Sequence, residues 1–513
     1  MSKKTLLLVL TLFASFLLFQ KAAAQNGPGM FDGQGDVGRV NTPGSGGYDA
    51  KTQQYRLSGS GTNVWANHDE FHYVWKKMKG DFILRTNAAF IGKGVEEHRK
   101  VGWMVRTSLD SGSKHISAVM HGSGLTSLQF RRTTGGVTEE KKFDLTSADE
   151  VIQLERKGNT YTMSVAKKGE MFVSHEVSDV DLGDEVYVGL FICSHNPAVT
   201  ENAVFNNVRV VTPAPPTLVP YRQYLGSDIE ILDLQTQNSR IIYQSPISLQ
   251  APNWMQDGKH LLYNSDGLLY TFDLKKNMPT VLNTGSANHN NNDHVISFDG
   301  KWLAISSADK SGASMGWVVP ITGGEPRRLT PVGPSYMHGW SPDGKWIVFC
   351  GARNNEYDVY RVPSAGGTEE RLTTSPGLDD GPEYSPDGKY IYFNSVRSGL
   401  MQVWRMKADG SEQTQLTNDD YNNWFPHISP DGKWIEYITF LKNEVAPGDH
   451  PFYKHVYLRV MPVDGGTSKV VAYLYGGQGT INTPSWSPDS KHLAFISNTS
   501  LLFPIFPIFP ISK

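Results

Sequence analysis

Cysteine is nearly missing from this chain, with two in 513 residues. Two thiols cannot build a disulfide framework. Charge is also sparse: 19% of residues are charged, 48 basic against 51 acidic, for a formal net charge of −3. No basic field exists for a phosphate backbone, so nucleic acid is not expected as a partner. Helical periodicity, phosphate-binding glycine loops and spaced cysteine motifs are all lacking. Turn formers and rings are plentiful instead: 50 glycines, 29 prolines and 11% aromatics. That mix favours many short strands and excludes a coiled coil or a generally disordered chain. At about 100–200 residues per domain, the length allows two to four domains.

Residues 1–25 read MSKKTLLLVLTLFASFLLFQKAAAQ. Lys3 and Lys4 precede an apolar run too short to span a bilayer, which needs about 20 residues. Ala22, Ala23 and Ala24 offer a cleavage site. This is the pattern of a secretory signal peptide over 1–24, with an N-terminal membrane anchor as the other reading. No cysteine follows for lipid attachment. An exported chain with so little cysteine suits a bacterial periplasm or exterior, as a monomer with no membrane span in its mature part.

Residues 212–220, TPAPPTLVP, form a stiff proline-rich spacer. Before it, residues 25–211 read as about ten strands with turns, among them 81–90, 101–108, 115–120, 161–167 and 185–193. Alternating apolar and polar residues mark strands with one buried face. The expected fold is all-β, a β-sandwich of jelly-roll type. The order GSGTNVW, DEFHYVW, GDFIL, GWMVR, with YVGLFICSHN and AVFNNVRVV at the end, resembles concanavalin-like sandwich domains. That resemblance implies either a lectin-like binder or a glycoside hydrolase. Sugar rings offer CH faces to aromatics and hydroxyls to polar groups. The candidates are Trp65, His68, Asp69, Tyr73, Trp75 and Arg106, with His121 nearby. Trp103 reads as core.

Residues 221–497 repeat. Six segments share one theme: NWMQDGKHLLY, ISFDGKWLAIS, GWSPDGKWIVF, EYSPDGKYIYF, HISPDGKWIEY and SWSPDSKHLAF. Their aspartates, Asp257, Asp299, Asp343, Asp387, Asp431 and Asp489, are spaced 42, 44, 44, 44 and 58 residues apart. A period near 44 with four strands per unit predicts a β-propeller. Residues 228–234 and 240–244 look like third and fourth strands lacking a first and second, which 485–497 can supply. Six blades result, with the ring closed by its two ends. The SPDGK repeat resembles the TolB-type propellers. TolB itself joins its propeller to a small α/β domain and works in the Tol–Pal envelope system, whereas the partner domain here reads as a sandwich. The 58-residue spacing reflects an insertion over 441–455, read as a contact loop. Residues 498–513, with SLLFPIFPIFPISK, form an atypical apolar tail, either a non-native end or a docking peptide.

Propeller ligands usually meet the channel at the loops entering the innermost strands. Five positions before the repeat aspartate, four blades carry Pro252, Pro382, Pro426 and Pro484. The other two carry His294 and His338, so these histidines are expected at one mouth. His427 stands one step later on another blade, and His289 lies just upstream of His294. Asn291, Asn292, Asp293, Asn423 and Asn482 are on the same loops, as are Tyr336, Asp379, Asp380, Glu383 and Trp424. One reading is a divalent metal on His294, His338 and His427, since neutral imidazole binds transition metals. In outline this resembles the oligogalacturonate lyases, which implies a polysaccharide lyase. The other reading is that these groups hydrogen-bond loops and channel water. Gly312, Ser314 and Gly316 fit G-x-S-x-G but lack the strand–turn–helix context of a nucleophile elbow. The leading expectation is an exported binding protein: a sandwich for glycan or protein, and a propeller as ligand or partner platform. The alternatives are the lyase and a TolB-like envelope scaffold.

Overall fold

The computed structural model describes residues 27–143 and 150–500. The leader over 1–24 and the tail beyond residue 500 lie outside the described residues. Every regular element among the described residues is a β-strand, as the turn-rich composition predicts. No helix among them is long and apolar enough to cross a membrane. The chain divides into two units: residues up to 165 with 173–208, and 166–172 with residues from 209 onward.

The first unit holds two seven-stranded sheets. One runs in the order Gly33–Val37, Phe71–Lys79, Glu185–Cys193, Lys100–Arg106, His115–His121, Thr126–Arg131, Glu139–Lys142. The other runs Val173–Val177, Thr160–Ala166, Val151–Lys157, Phe82–Ile91, Glu201–Val211, Gln54–Gly59, Ser45–Asp49. Lys100–Arg106 is buried along its whole length. Strand alternation places Val101, Trp103 and Val105 on one face. Lys100, Met104 and Arg106 fall on the other, opposite His121, Ser117 and His115 of the next strand. That second face carries charge into the interior, and its groups are paired there, as described below.

The second unit is a six-bladed propeller. Five blades are four-stranded antiparallel sheets, and a sixth sheet is three-stranded. The innermost strands of blades one to five are Gln250–Trp254, Asn290–Ile296, Ser335–Trp340, Asp379–Tyr384 and Tyr421–Ile428. In the sixth sheet Gly226–Asp233 pairs with Asn238–Ser245 on one side and His492–Thr499 on the other. The second unit therefore includes Ser497, Asn498 and Thr499, the last two of which the sequence reading assigned to the tail. A bridge between Trp486 and Leu493 marks this blade's innermost segment.

The repeat motif has a visible job. In blade three Ser341 donates to Asp343 at 2.6 Å, Asp343 accepts from the Lys345 amide at 3.1 Å, and Ser341 accepts from the Trp346 amide at 2.9 Å. The same set recurs around Asp387 and Asp489. Gly344 sits at φ 70°, where a side chain is disfavoured. In the last repeat Ser490 holds the equivalent place at φ 60°. β-Branched and aromatic residues after the turn then pack between blades. Leu262, Leu269, Leu303 and Ile305 cluster between blades one and two. Ile229, Tyr243, Leu261 and Ile496 cluster between blades six and one. Fully burying each such side chain contributes about 1.5–3 kcal/mol.

Candidate functional site

The innermost strands are not regular. In all five four-stranded blades the register against the second strand shifts: between Gln250 and Asn253, Asn290 and His294, Met337 and Gly339, Asp380 and Glu383, and Trp424 and His427. A bulge re-aims side chains and frees backbone groups from the ladder. In three blades the residue before the proline has positive φ: Ala251 at 55°, Gly381 at 58° and Phe425 at 53°. For a ring as bulky as Phe425 this is a strained conformation. These bulges border a cavity of about 1040 Å³.

Sequence reasoning places His338, Tyr336 and Asp380 on this cavity, with Asn291, Asn292, Asp293 and Asn482, and the structure brings all of them together on its wall. His338 Nε2 lies 3.3 Å from Asp380 Oδ1. Its ring stacks on Phe425 with centroids 6.1 Å apart. Burial alone would lower the His338 pKa, but the Asp380 hydrogen bond and the Asp293, Asp380 and Glu383 charges outweigh it and raise it. Burial pushes Asp380 up, yet the His338 hydrogen bond and charge bring it below the usual carboxylate range. Asp293 is pushed up to about 6, mainly by burial, against the pull of the His338 charge. Burial raises Tyr336 and, helped by the neighbouring carboxylates, raises Cys350.

The other candidates lie off the cavity wall. His294 is fully buried, with the Leu262 and Ala251 backbone of blade one beside its ring. Burial lowers its pKa to about 4, against a smaller favourable effect of the Leu262 and Ala251 backbone. His427 is buried with both nitrogens engaged, Nδ1 with Glu383 at 2.7 Å and Nε2 with the Ile481 carbonyl at 2.5 Å. Glu383 also accepts from the Ile428 amide. Asp379 pairs with Arg397 at 2.7 Å. Trp424 is buried and His289 is exposed. Asn423 bonds Gln402 of the preceding blade and Asp419 of the loop that leads into its own strand. The Ser314 hydroxyl donates to the Ser335 carbonyl.

His294, His338 and His427 thus do not share one metal shell. His427 has no free nitrogen, and His338 alone of the three reaches the cavity. Among the described residues no three His, Cys, Asp or Glu side chains are grouped to hold a metal ion. The donor set therefore does not fit a histidine-bound metal.

Sequence reasoning missed part of the wall. Phe425, His450 and Phe452 line it, as do Tyr221, Tyr224 and Tyr357. His450 and Phe452 come from the insertion between Trp434–Leu441 and Lys454–Pro462. The 58-residue spacing was the signal for them. The His450 ring meets Trp424 at 4.3 Å and Phe425 at 5.2 Å edge-on, and Nδ1 pairs with Gln478. Burial lowers the His450 pKa despite the Asp380 charge. Tyr221 and Tyr224 pack on Phe452 at 5.4 and 5.6 Å. They sit at the end of the proline-rich spacer, where no sequence pattern points to them.

In the first unit the candidates divide by burial. Asp69 is fully buried, 2.8 and 2.9 Å from Arg131 and 3.6 Å from Arg106. Tyr73 donates to the Met104 carbonyl at 2.9 Å. Arg106 donates to the Ser108 and Asp110 carbonyls. Arg131, which also donates to the Trp65 and Ala66 carbonyls, ties down the short hairpin of Val64–Trp65 and His68–Asp69. Lys100 adds bonds to Asn63 and Val64, and burial lowers its pKa to about 8. Trp65 and His68 are exposed, and Trp75 is half-buried, stacked on Tyr73 at 5.6 Å. His121 is buried with Nδ1 unpartnered, and Trp103 is core.

Six blades with a polar and aromatic cavity beside their innermost strands define the second unit as a β-propeller with one candidate site. Residues 338–447 match the TolB beta propeller domain. An uncharacterized protein of Agrobacterium fabrum, Atu1656, is 45% identical over 273 residues, which is 53% of this chain and 92% of that protein. A solved structure from Agrobacterium tumefaciens, assigned as TolB, is 44% identical with a TM-score of 0.52, covering 56% of this chain and 100% of its own. TolB of Acinetobacter baumannii is 20% identical with a TM-score of 0.40, over 49% of this chain and 64% of that one. The chain belongs to the TolB-like β-propeller family through its second unit.

Proposed function

We propose that this is an exported binding protein of the bacterial envelope, whose propeller cavity receives a ligand or a segment of a partner protein. The observation that carries the reading is the cavity of about 1040 Å³. It lies at the upper end of ligand-site volumes, roughly 300–1,000 Å³. Its wall combines rings with Asn and Gln amides from several blades, so it offers both apolar faces and hydrogen bonds. The ring itself is held by pairing of its first and last strands, which makes the wall a rigid frame. The leader-like N-terminus and the TolB-like family support a periplasmic location. In this reading the first unit is a concanavalin-like jelly roll that adds glycan or protein recognition, with exposed Trp65 and His68 as its contact residues.

The TolB-like scaffold reading is a form of the same proposal, in which the ligand is an envelope protein. The lyase alternative has less support. A uronate polymer needs cationic counter-charges, and among the described residues no lysine or arginine lines the cavity. The test is to probe peptide and glycan arrays with the full chain and with a Tyr336→Ala, Phe425→Ala variant. Binding lost in that variant, at retained fold, supports the cavity as the site. Binding that persists unchanged refutes it.

A further inference from the structure

The charges around the propeller cavity are one-sided. Asp266, Asp293 and Asp380 line it, and His338 is paired with Asp380. Asp293 thus faces the cavity with no lysine or arginine on the wall to answer it. The rings of Tyr221, Tyr224, Tyr336, Tyr357, Phe425 and Phe452 complete the wall. Carboxylates and aromatic faces attract the same partner, a cation carrying N–H donors. Gln250, Gln478 and Asn482 also line the cavity. Gln478 Oε1 accepts from Asn482 and pairs with His450, and Asn482 accepts from the Gly479 amide, so these amides fix the wall of a cavity with room for a short peptide.

We infer that the cavity takes a positively charged nitrogen, an ammonium or guanidinium, carried on a short peptide segment and held by Asp293 among the rings. This rests on the cavity being a binding site, and it names the chemistry of what binds.

Calorimetric titration of the full chain tests it. The probes are acetyl-Ala-Arg-Ala-amide, its Gln counterpart, spermidine and trigalacturonate, each against wild type and Asp293→Asn. The Arg peptide is expected to bind at least about tenfold more tightly than the Gln peptide, and Asp293→Asn should remove that preference. The Asn variant is isosteric, and an unchanged or raised melting temperature shows that it folds. An Arg preference that survives in Asp293→Asn, or equal binding of the Gln peptide, overturns the cation inference while leaving the cavity as a site. Binding of trigalacturonate in preference to the Arg peptide overturns it too. Spermidine bound without the peptides keeps the cation and overturns the peptide as its carrier. No cationic probe bound below about 1 mM overturns the inference, and the array result above separately decides whether the cavity binds at all.

Discussion

Asp293→Asn should make the propeller more stable at neutral pH. Asp293 is 7% exposed, and its pKa is pushed from the ordinary 3.8 to about 6, mainly by burial. That rise corresponds to about 3 kcal/mol of destabilisation once the carboxylate is charged in the fold. Below pH 3.8 the carboxyl is protonated in both folded and unfolded chains and costs nothing. Between 3.8 and about 6 the unfolded chain releases the proton while the folded chain keeps it, so stability falls as pH rises. Above about 6 the full cost is present. Asparagine has the same shape and never ionises, so the variant lacks this slope. Part of the gain is offset because the Asp293 charge helps to hold the His338 imidazolium. A net gain of about 2 kcal/mol at pH 7.5 is expected, shrinking to about half at pH 5. For a domain of this size the melting temperature should rise by about 5 °C. Urea denaturation of both proteins at the two pH values, followed by tryptophan fluorescence, measures it. An Asn variant no more stable at pH 7.5, or a gain that grows on acidification, refutes the reasoning. A gain together with weaker cation binding would mark Asp293 as a charge kept for function against stability.

Arg131→Met leaves the Asp69 carboxylate buried without its bidentate partner, and should cost the first unit about 3–5 kcal/mol, read as an early calorimetric transition. Trp65→Ala should change stability by about 1 kcal/mol or less, because the ring is 38% exposed with only Lys100 over it at 5.6 Å. Trp103→Ala, fully buried, should cost about 3–5 kcal/mol in the same denaturation assay. Ser490→Gly removes a side chain from a left-handed turn at φ 60° and should stabilise by up to about 1 kcal/mol, seen as a small rise in melting temperature. Loss of the bond from the Asp431 amide to the Ser490 hydroxyl sets the upper limit on that gain.

The blades were legible because their chemistry is local. A Ser–Pro–Asp–Gly–Lys stretch can satisfy its own amides through one serine and one aspartate, so every copy announces a turn wherever it falls. The cavity was legible only where it is built from the repeat. Alignment on the repeat aspartate reached Tyr336, His338 and Asp380, since each stands at the start of an innermost strand. It could not reach His450 and Phe452, which enter from an insertion, or Tyr221, which lies far away in sequence. In the first unit Asp69 and Arg106 read as a polar pair suited to sugar hydroxyls. A paired interior charge and a binding charge have the same residue types, and only the Arg131 and Asp110 partners tell them apart.

The proline and histidine exceptions share one physical cause. At a bulge on the channel-side edge strand, proline loses nothing by lacking an N–H, because the ladder is interrupted there. Proline also drives the preceding residue away from the right-handed helical region. Ala251, Gly381 and Phe425, before Pro252, Pro382 and Pro426, take positive φ, a turn of the bulge itself that also avoids the right-handed helical region. In the histidine blades no such residue precedes, and the bulge is spread differently: over Asn290–His294 in blade two and over a single step, Met337–Gly339, in blade three. The same repeat position therefore leaves His294 buried against the blade-one backbone and sets His338 on the wall. There His338 compensates Asp380, and the strained Phe425 supplies the ring it stacks on. Asp293 shares that one imidazolium with Asp380, which leaves the wall with an excess of negative charge. Equivalence in a repeat thus fixes where a side chain starts, and the local bulge decides where it points.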